Sequence, residues 1–79
     1  MYVYILKSYI NNKYYIGCTN DLSRRLKDHN SGQNISTKNG APWKIVYYEE
    51  IKDQKEAYGR ERQIKSYKGG NAFKKLLCQ

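Results

Sequence analysis

The chain has 79 residues, enough for one domain with a small core, near the size at which burial only just outweighs chain entropy. Fifteen Lys and Arg against seven Asp and Glu give a net charge of +8, which favours a polyanionic partner. No apolar run approaches the ~18 residues of a membrane span, and Cys18 and Cys78 stand far apart and in no C-x-x-C pair, which argues against a membrane-spanning helix and against a thiolate metal site.

The N-terminus has no basic segment, apolar stretch and small-residue cleavage site, so no signal peptide is visible and the expected location is cytoplasmic, with free thiols. Lysines that merely keep the chain soluble would produce the same charge. Nine tyrosines and a tryptophan among those bases add faces on which nucleobases can stack, although many of the rings must build the core. One domain over residues 1–79 is expected, with no repeat, low-complexity stretch or linker.

Tyr2-Val3-Tyr4-Ile5-Leu6 reads as a strand, and Tyr14-Tyr15-Ile16, ending at Gly17, as a second. Between them Asn11-Asn12 tolerates left-handed backbone, which makes the pair a hairpin. A turn over 9–12 or 8–13 puts Tyr4 and Tyr15 on one face, with Tyr4 opposite Gly17. Two phenols over a glycine notch have the look of a site. Tyrosines also suit any half-buried pleated surface, so the hairpin by itself decides nothing. Cys18, next in line, is most simply a packing residue.

Thr19 or Asn20 can cap a helix from about Asp21 to Asn30, with Asp21 at its positive end and Asn30-Ser31-Gly32 closing it. Leu22 and Leu26 supply its buried stripe. Arg25 and His29, also four apart, present a guanidinium and an imidazole along one edge. Arg24 and Lys27 project elsewhere, as solvated or phosphate-facing charges.

Ser31 to Pro42 is a long polar loop for so small a domain, with Ser36, Thr37 and Lys38 suited to phosphate contact. Flexibility alone would explain its composition. Trp43 to Tyr48 is apolar at nearly every position, as expected of a strand covered on both faces, and Glu49-Glu50 ends it on the surface.

A second helix starts at Asp53, with Glu56 completing a capping pair, and runs to about Tyr67. Ala57, Glu61 and Ile64 share its inward face, so Glu61 lies on an apolar stripe with Arg60, Arg62 and Lys65 around it. A carboxylate there must be paired or hold a metal, because burying it alone is costly. A structural ion pair satisfies that need as well as a metal does. Gly69-Gly70 breaks the helix, and Asn71 can cap a short final one through Leu77, packed down by Phe73, Leu76 and Leu77.

Four features now stand in order: Tyr2-Val3-Tyr4, Tyr15-Ile16-Gly17, Arg25 on a helix, and Glu61 within Arg60-Glu61-Arg62-Gln63-Ile64-Lys65. Together with the run from Gly17 to Arg25, this pattern resembles the GIY-YIG nuclease superfamily over nearly the whole chain. It is most similar to small single-domain members akin to the N-terminal catalytic domain of the C component of excinuclease ABC. One departure is that Tyr2 stands where the first glycine of the GIY triplet would be.

The resemblance implies an α+β fold, a three-stranded antiparallel sheet flanked by helices, which agrees with the residue-level reading. It implies Tyr4 and Tyr15 as the motif tyrosines, Arg25 as the arginine on the scissile phosphate, and Glu61 as the carboxylate holding one Mg²⁺ or Mn²⁺. His29 falls where other members carry an active-site histidine or tyrosine. Tyr4, Tyr15 and His29 remain rival general bases: a free phenol titrates near 10 and needs cations to lower it, whereas imidazole at about 6.5 suits the task unaided.

The implied partner is DNA, branched, flapped or damaged, in repair or recombination, with Arg24, Lys27, Lys38, Arg62 and Lys65 as further nucleic-acid contacts. No separate recognition domain fits in the chain, so a partner protein or a homodimer is expected to help choose the substrate. The competing function is a weak or inactive nucleic-acid-binding module that keeps the fold and its basic face. A purely structural domain would explain the charge but not the placement of Arg25 and Glu61.

Overall fold

A computed structural model describes residues 1–32 and 37–78. Strands β1 (Tyr2–Ser8), β2 (Tyr14–Thr19) and β3 (Trp43–Glu50) form one antiparallel sheet in the order β2-β1-β3. Helices α1 (Leu22–Asn30), α2 (Gln54–Ser66) and α3 (Asn71–Leu77) pack on it, and a single 3₁₀ turn covers Lys38–Gly40. The α+β architecture expected from the sequence is the one observed.

The hairpin register follows the longer of the two expected turns. Lys7 faces Tyr14, Leu6 faces Tyr15 and Tyr4 faces Gly17, which leaves 8–13 as the connection. Asn12 takes the left-handed backbone (φ 60°) that its short polar side chain tolerates. The Ser8 hydroxyl accepts from the backbone N–H of Ile10 and Asn11, fixing the start of the turn.

β1 is the central strand, and it separates two cores. On one face Val3 and Ile5 pack with Ala57 and Ile64 of α2 and Phe73 and Leu76 of α3. On the other, Tyr4 and Leu6 pack with Trp43, Tyr15, Ile45 and the α1 residues Leu22 and Leu26. Tyr4 therefore lies under α1, while α2 covers the opposite face.

Three local expectations are corrected. β3 is an edge strand, half-covered rather than buried on both faces, and it continues through Glu49 and Glu50. Its unbroken apolar run comes from a bulge: Ile5 pairs with Tyr47 but Leu6 pairs with Ile45, so Val46 is extra. Val46 and Tyr47 both pack against the α2 core, and alternation is lost there. Asp21, expected in the first turn of α1, is instead its cap and accepts from the Arg24 N–H at 3.1 Å. Gly70 occupies the cap position of α3, so Asn71 is that helix's first residue. Asp53 caps α2 as expected, accepting from the Lys55 N–H.

Candidate active site

The site grows from a contact that the β1–β2 register creates. Tyr4 stands beside Gly17, and a methyl group at position 17 would come within 2.6 Å of the Tyr4 oxygen and 2.8 Å of its Cζ. The glycine is required by space, so that a phenol can lie flat across β2. Tyr15 shares this face, its ring 6.4 Å from that of Tyr4.

α1 brings the next two groups. His29 is fully buried, with Nε2 3.0 Å from the Tyr4 oxygen and Nδ1 2.7 Å from Thr37 Oγ1. Its ring also lies 4.8 Å from that of Tyr15. Thr37 is held in turn, because Trp43 Nε1 donates to its carbonyl at 2.7 Å. The indole packs so closely on Gly40 that a Cβ there would meet it at 2.3 Å. Thr37 thus supports the imidazole from inside the protein, rather than meeting phosphate as its loop composition suggested. Nothing local in the sequence marked it for that role. Ser36 lies outside the described residues.

Arg25, one turn before His29, lies beside the Tyr4 hydroxyl. Its Nε is buried and has no hydrogen-bond partner among the described residues. An unsatisfied buried guanidinium nitrogen fits an anion that has yet to arrive. The electrostatics follow from this crowding. Burial pushes the Tyr4 phenol up to about 12, against the opposing pull of Arg25. Burial, followed by the Arg25 charge, holds His29 below its ordinary value, so the imidazole is neutral at pH 7. The Tyr4 phenol holds the Arg25 guanidinium above its usual range.

Glu61 approaches from the other side of the sheet. α2 crosses β2 at Cys18, whose thiol donates to the Ala57 carbonyl at 3.4 Å. Burial, with Glu61 close by, pushes that thiol up to about 12, so it is an inert packing group. One turn further, Glu61 stands at the rim between the buried Ala57 and Ile64. Its charge adds the smallest of the contributions that raise the Tyr4 phenol.

Lys65 Nζ is 2.6 Å from Glu61 Oε2, and Tyr58, Glu61, Arg62 and Lys65 line an open pocket of about 290 Å³. Arg60 does not join them. It makes a two-pronged pair with Glu49 of β3 at 2.7–3.1 Å, so it is turned away from Glu61, which it was expected to flank, and Glu49 is paired.

Among the described residues no three His, Cys, Asp or Glu side chains cluster into a cage for a metal. The donor set therefore does not fit an ion enclosed by protein ligands alone. It does fit a cation such as Mg²⁺, which is held by one or two carboxylates, waters and substrate phosphate. Glu61 is the carboxylate in position to serve it. Of the other basic residues, Arg24, Lys27, Lys38 and Arg62 are exposed. Arg24 also bonds Asn20 Oδ1 at 3.2 Å.

Residues 1–74 match the model of the GIY-YIG catalytic domain. The chain belongs to the GIY-YIG family. Among curated relatives, a UPF0213 protein of Clostridium perfringens is 43% identical over 65 residues, covering 81% of this chain and 69% of that protein. A UPF0213 protein of Haloquadratum walsbyi is 36% identical over 67 residues, 84% of this chain and 74% of its own length. One from Streptococcus pneumoniae is 37% identical over 68 residues, with shares of 85% and 68%. No solved structure matches. A GIY-YIG catalytic domain points to nuclease-type chemistry on DNA, a family trait that agrees with the phenols, guanidinium and carboxylate gathered around β2. None of the described helices is long and apolar enough to cross a membrane.

Proposed function

We propose that residues 1–79 are a single-domain endonuclease that hydrolyses DNA phosphodiesters with one divalent cation, Mg²⁺ or Mn²⁺, held by Glu61. The observation that carries this reading is the Tyr4 hydroxyl, bonded to a buried neutral imidazole and lying beside an arginine whose Nε has no partner among the described residues.

Arg25, whose buried Nε is unpaired among the described residues, offers its guanidinium to a non-bridging phosphate oxygen. Tyr4 has almost no exposed surface, and the guanidinium lies against its oxygen. A phosphate that recruits Arg25 opens the phenol to the attacking water. With a phenol pushed up to about 12, Tyr4 is a poor base alone. It becomes one when it passes its own proton to His29 Nε2 as it takes a proton from water. With Nε2 free to take that proton, Nδ1 carries its own hydrogen and donates it to Thr37 Oγ1, 2.7 Å away.

The resulting hydroxide attacks phosphorus, the P–O bond to the leaving sugar oxygen breaks, and that oxygen takes a proton from solvent. The imidazolium formed is tolerated because the phosphate anion balances Arg25. A divalent cation, when bound, supplies charge neutralisation at the phosphate and stabilisation of the leaving alkoxide. Lys65 releases Glu61 for that purpose. Tyr15, half-buried and packed on His29, positions the imidazole and the water.

We place the activity on branched, flapped or damaged DNA in the cytoplasm, in repair or recombination. Arg24, Lys27, Lys38, Arg62 and Lys65 contribute phosphate contacts, and a partner protein or second copy aids selection. A single contact favours the binding-module alternative: the Lys65 ammonium already pairs with Oε2 of Glu61.

The test is cleavage of supercoiled and flapped DNA by the purified protein in Mg²⁺, Mn²⁺ or EDTA. Nicking that needs the metal, and that disappears in Glu61→Gln without loss of the fold, is expected. Binding without cutting in either metal would establish the module instead.

A further inference from the structure

We infer that the hairpin end of the sheet is a docking platform for a single-stranded segment of DNA, formed by Lys7, Tyr9, Tyr14 and Lys44. This rests on the nuclease reading for its ligand, but not on any residue of the cleavage site.

The geometry starts from the strand register. Lys7 is directly opposite Tyr14 on β2 and directly opposite Lys44 on β3. Directly paired residues point to the same face, so Tyr14, Lys7 and Lys44 form one row across all three strands. Two strand spacings make that row about 10 Å long. Lys7 Nζ stands over the Tyr14 ring at 5.7 Å, and Lys44 Nζ over the Tyr9 ring at 5.0 Å. Each lysine of the row therefore has an aromatic ring beside it.

This end of the molecule is uncovered. Tyr9 is 62% exposed, the neighbouring Ile10 65% and Tyr14 42%, although the molecule buries most of its other large apolar groups. Phe73 of α3 meets Tyr14 only by an edge, ring centroids 5.1 Å apart. Nothing in the core requires Tyr9 or Ile10 to be apolar.

Charge selects the occupant. The segments that build this end, 7–15 and 37–48, contain Lys7, Lys13, Lys38 and Lys44 and no Asp or Glu. A basic surface without acids repels a basic partner and attracts a polyanion. Exposed rings among lysines suit a polyanion whose bases are unpaired, because stacking needs a free base face. A duplex hides those faces and offers phosphates alone. The row lies on the α2/α3 face of the sheet, around the edge strand β2 from the cleavage site: Tyr14 is three residues, about 10 Å, from Gly17 along that strand. A single-stranded arm leaving the site over Tyr15 reaches the platform around the start of the same strand.

The experiment is fluorescence anisotropy in EDTA, so that binding is read without cleavage. A labelled single-stranded DNA of about 12 nucleotides and a blunt duplex are titrated with the parent, Tyr9→Ala and Lys44→Ala. The Tyr9 side chain can be removed safely, since its backbone N–H keeps its bond to the Pro42 carbonyl, and thermal melting checks both folds. Tyr9→Ala should weaken single-strand binding roughly 5- to 100-fold, as for the loss of one stacked base, and change duplex binding less than about two-fold. Lys44→Ala should lower the single-strand salt slope by about 0.7.

Unchanged single-strand affinity in both variants, or equal losses for single strand and duplex, would overturn the platform. Tighter binding of an RNA oligonucleotide of the same sequence would overturn its assignment to DNA. Cleavage by the parent is scored separately: a parent that cuts while its variants bind normally loses the platform and keeps the nuclease. A parent that binds through Tyr9 but never cuts keeps the platform and loses the nuclease.

Discussion

His29 is the only histidine in the chain, and that makes its environment measurable. Burial and Arg25 lower its proton affinity in the folded state. The unfolded chain therefore binds more protons than the folded one below the ordinary imidazole value, and stability rises with pH through that window. The stabilisation is complete above about 6.5 and is lost as pH falls below it. The melting temperature should drop between pH 7.5 and 5.5 in the parent, and His29→Gln should flatten that drop. A parent profile flat across the window would mean that the imidazole is solvated in the fold. The carboxylate of Glu49, held below its usual range by Arg60, adds its own loss only at more acid pH.

Arg25 belongs to the same scale. Its Nε lacks a partner among the described residues, whereas Arg24, one position earlier, already bonds Asn20. Arg25→Ala should therefore reduce cleavage far more than DNA binding, because binding is spread over many cations. The salt slope of binding should fall by at most about one. Parallel losses of binding and cleavage would make Arg25 a docking residue.

At the scale of elements, the hairpin is the part most legible in sequence. Its two apolar runs, its Asn-Asn turn and the alternation of side chains are enough to set Tyr4 against Gly17. The structural cost of that contact follows: Gly17→Ala puts a methyl group 2.6 Å from the Tyr4 oxygen, within a packed core. Overpacking of this kind costs about 1–3 kcal/mol and should also displace the phenol, lowering cleavage along with the denaturant midpoint. Wild-type stability in Gly17→Ala would show that β2 gives way freely.

β3 was less legible because a bulge at Val46 breaks the alternation that marks a half-covered strand. Thr37 was illegible for a different reason. Its neighbours in sequence are polar, and its role comes from His29 and Trp43, which reach it from α1 and β3. Glu61 was recognisable as an acid on an apolar stripe of α2. Its partner follows from helix spacing: Lys65, four residues on, faces it, whereas Arg60, its immediate neighbour, points away and pairs with Glu49, a contact across the fold that the sequence does not mark.

At the scale of the molecule, one central strand divides the functional groups between two faces. Tyr4, Tyr15, Arg25 and His29 gather on the α1 face, and Glu61 and Lys65 come from α2 on the other, across the outer strand β2. The net charge of +8 brings DNA to any part of such a surface. In the proposed mechanism the chemistry depends on a single phenol. The decisive measurement is single-turnover cleavage of a flapped DNA in Mg²⁺ by saturating parent and Tyr4→Phe, with matched melting temperatures. The phenylalanine ring keeps the packing over Gly17 and removes the bond to His29. The rate should fall roughly 10²–10⁴-fold, the contribution of a general base, while affinity stays the same. Equal rates for the two proteins would contradict the proposed proton path from water through Tyr4 to His29.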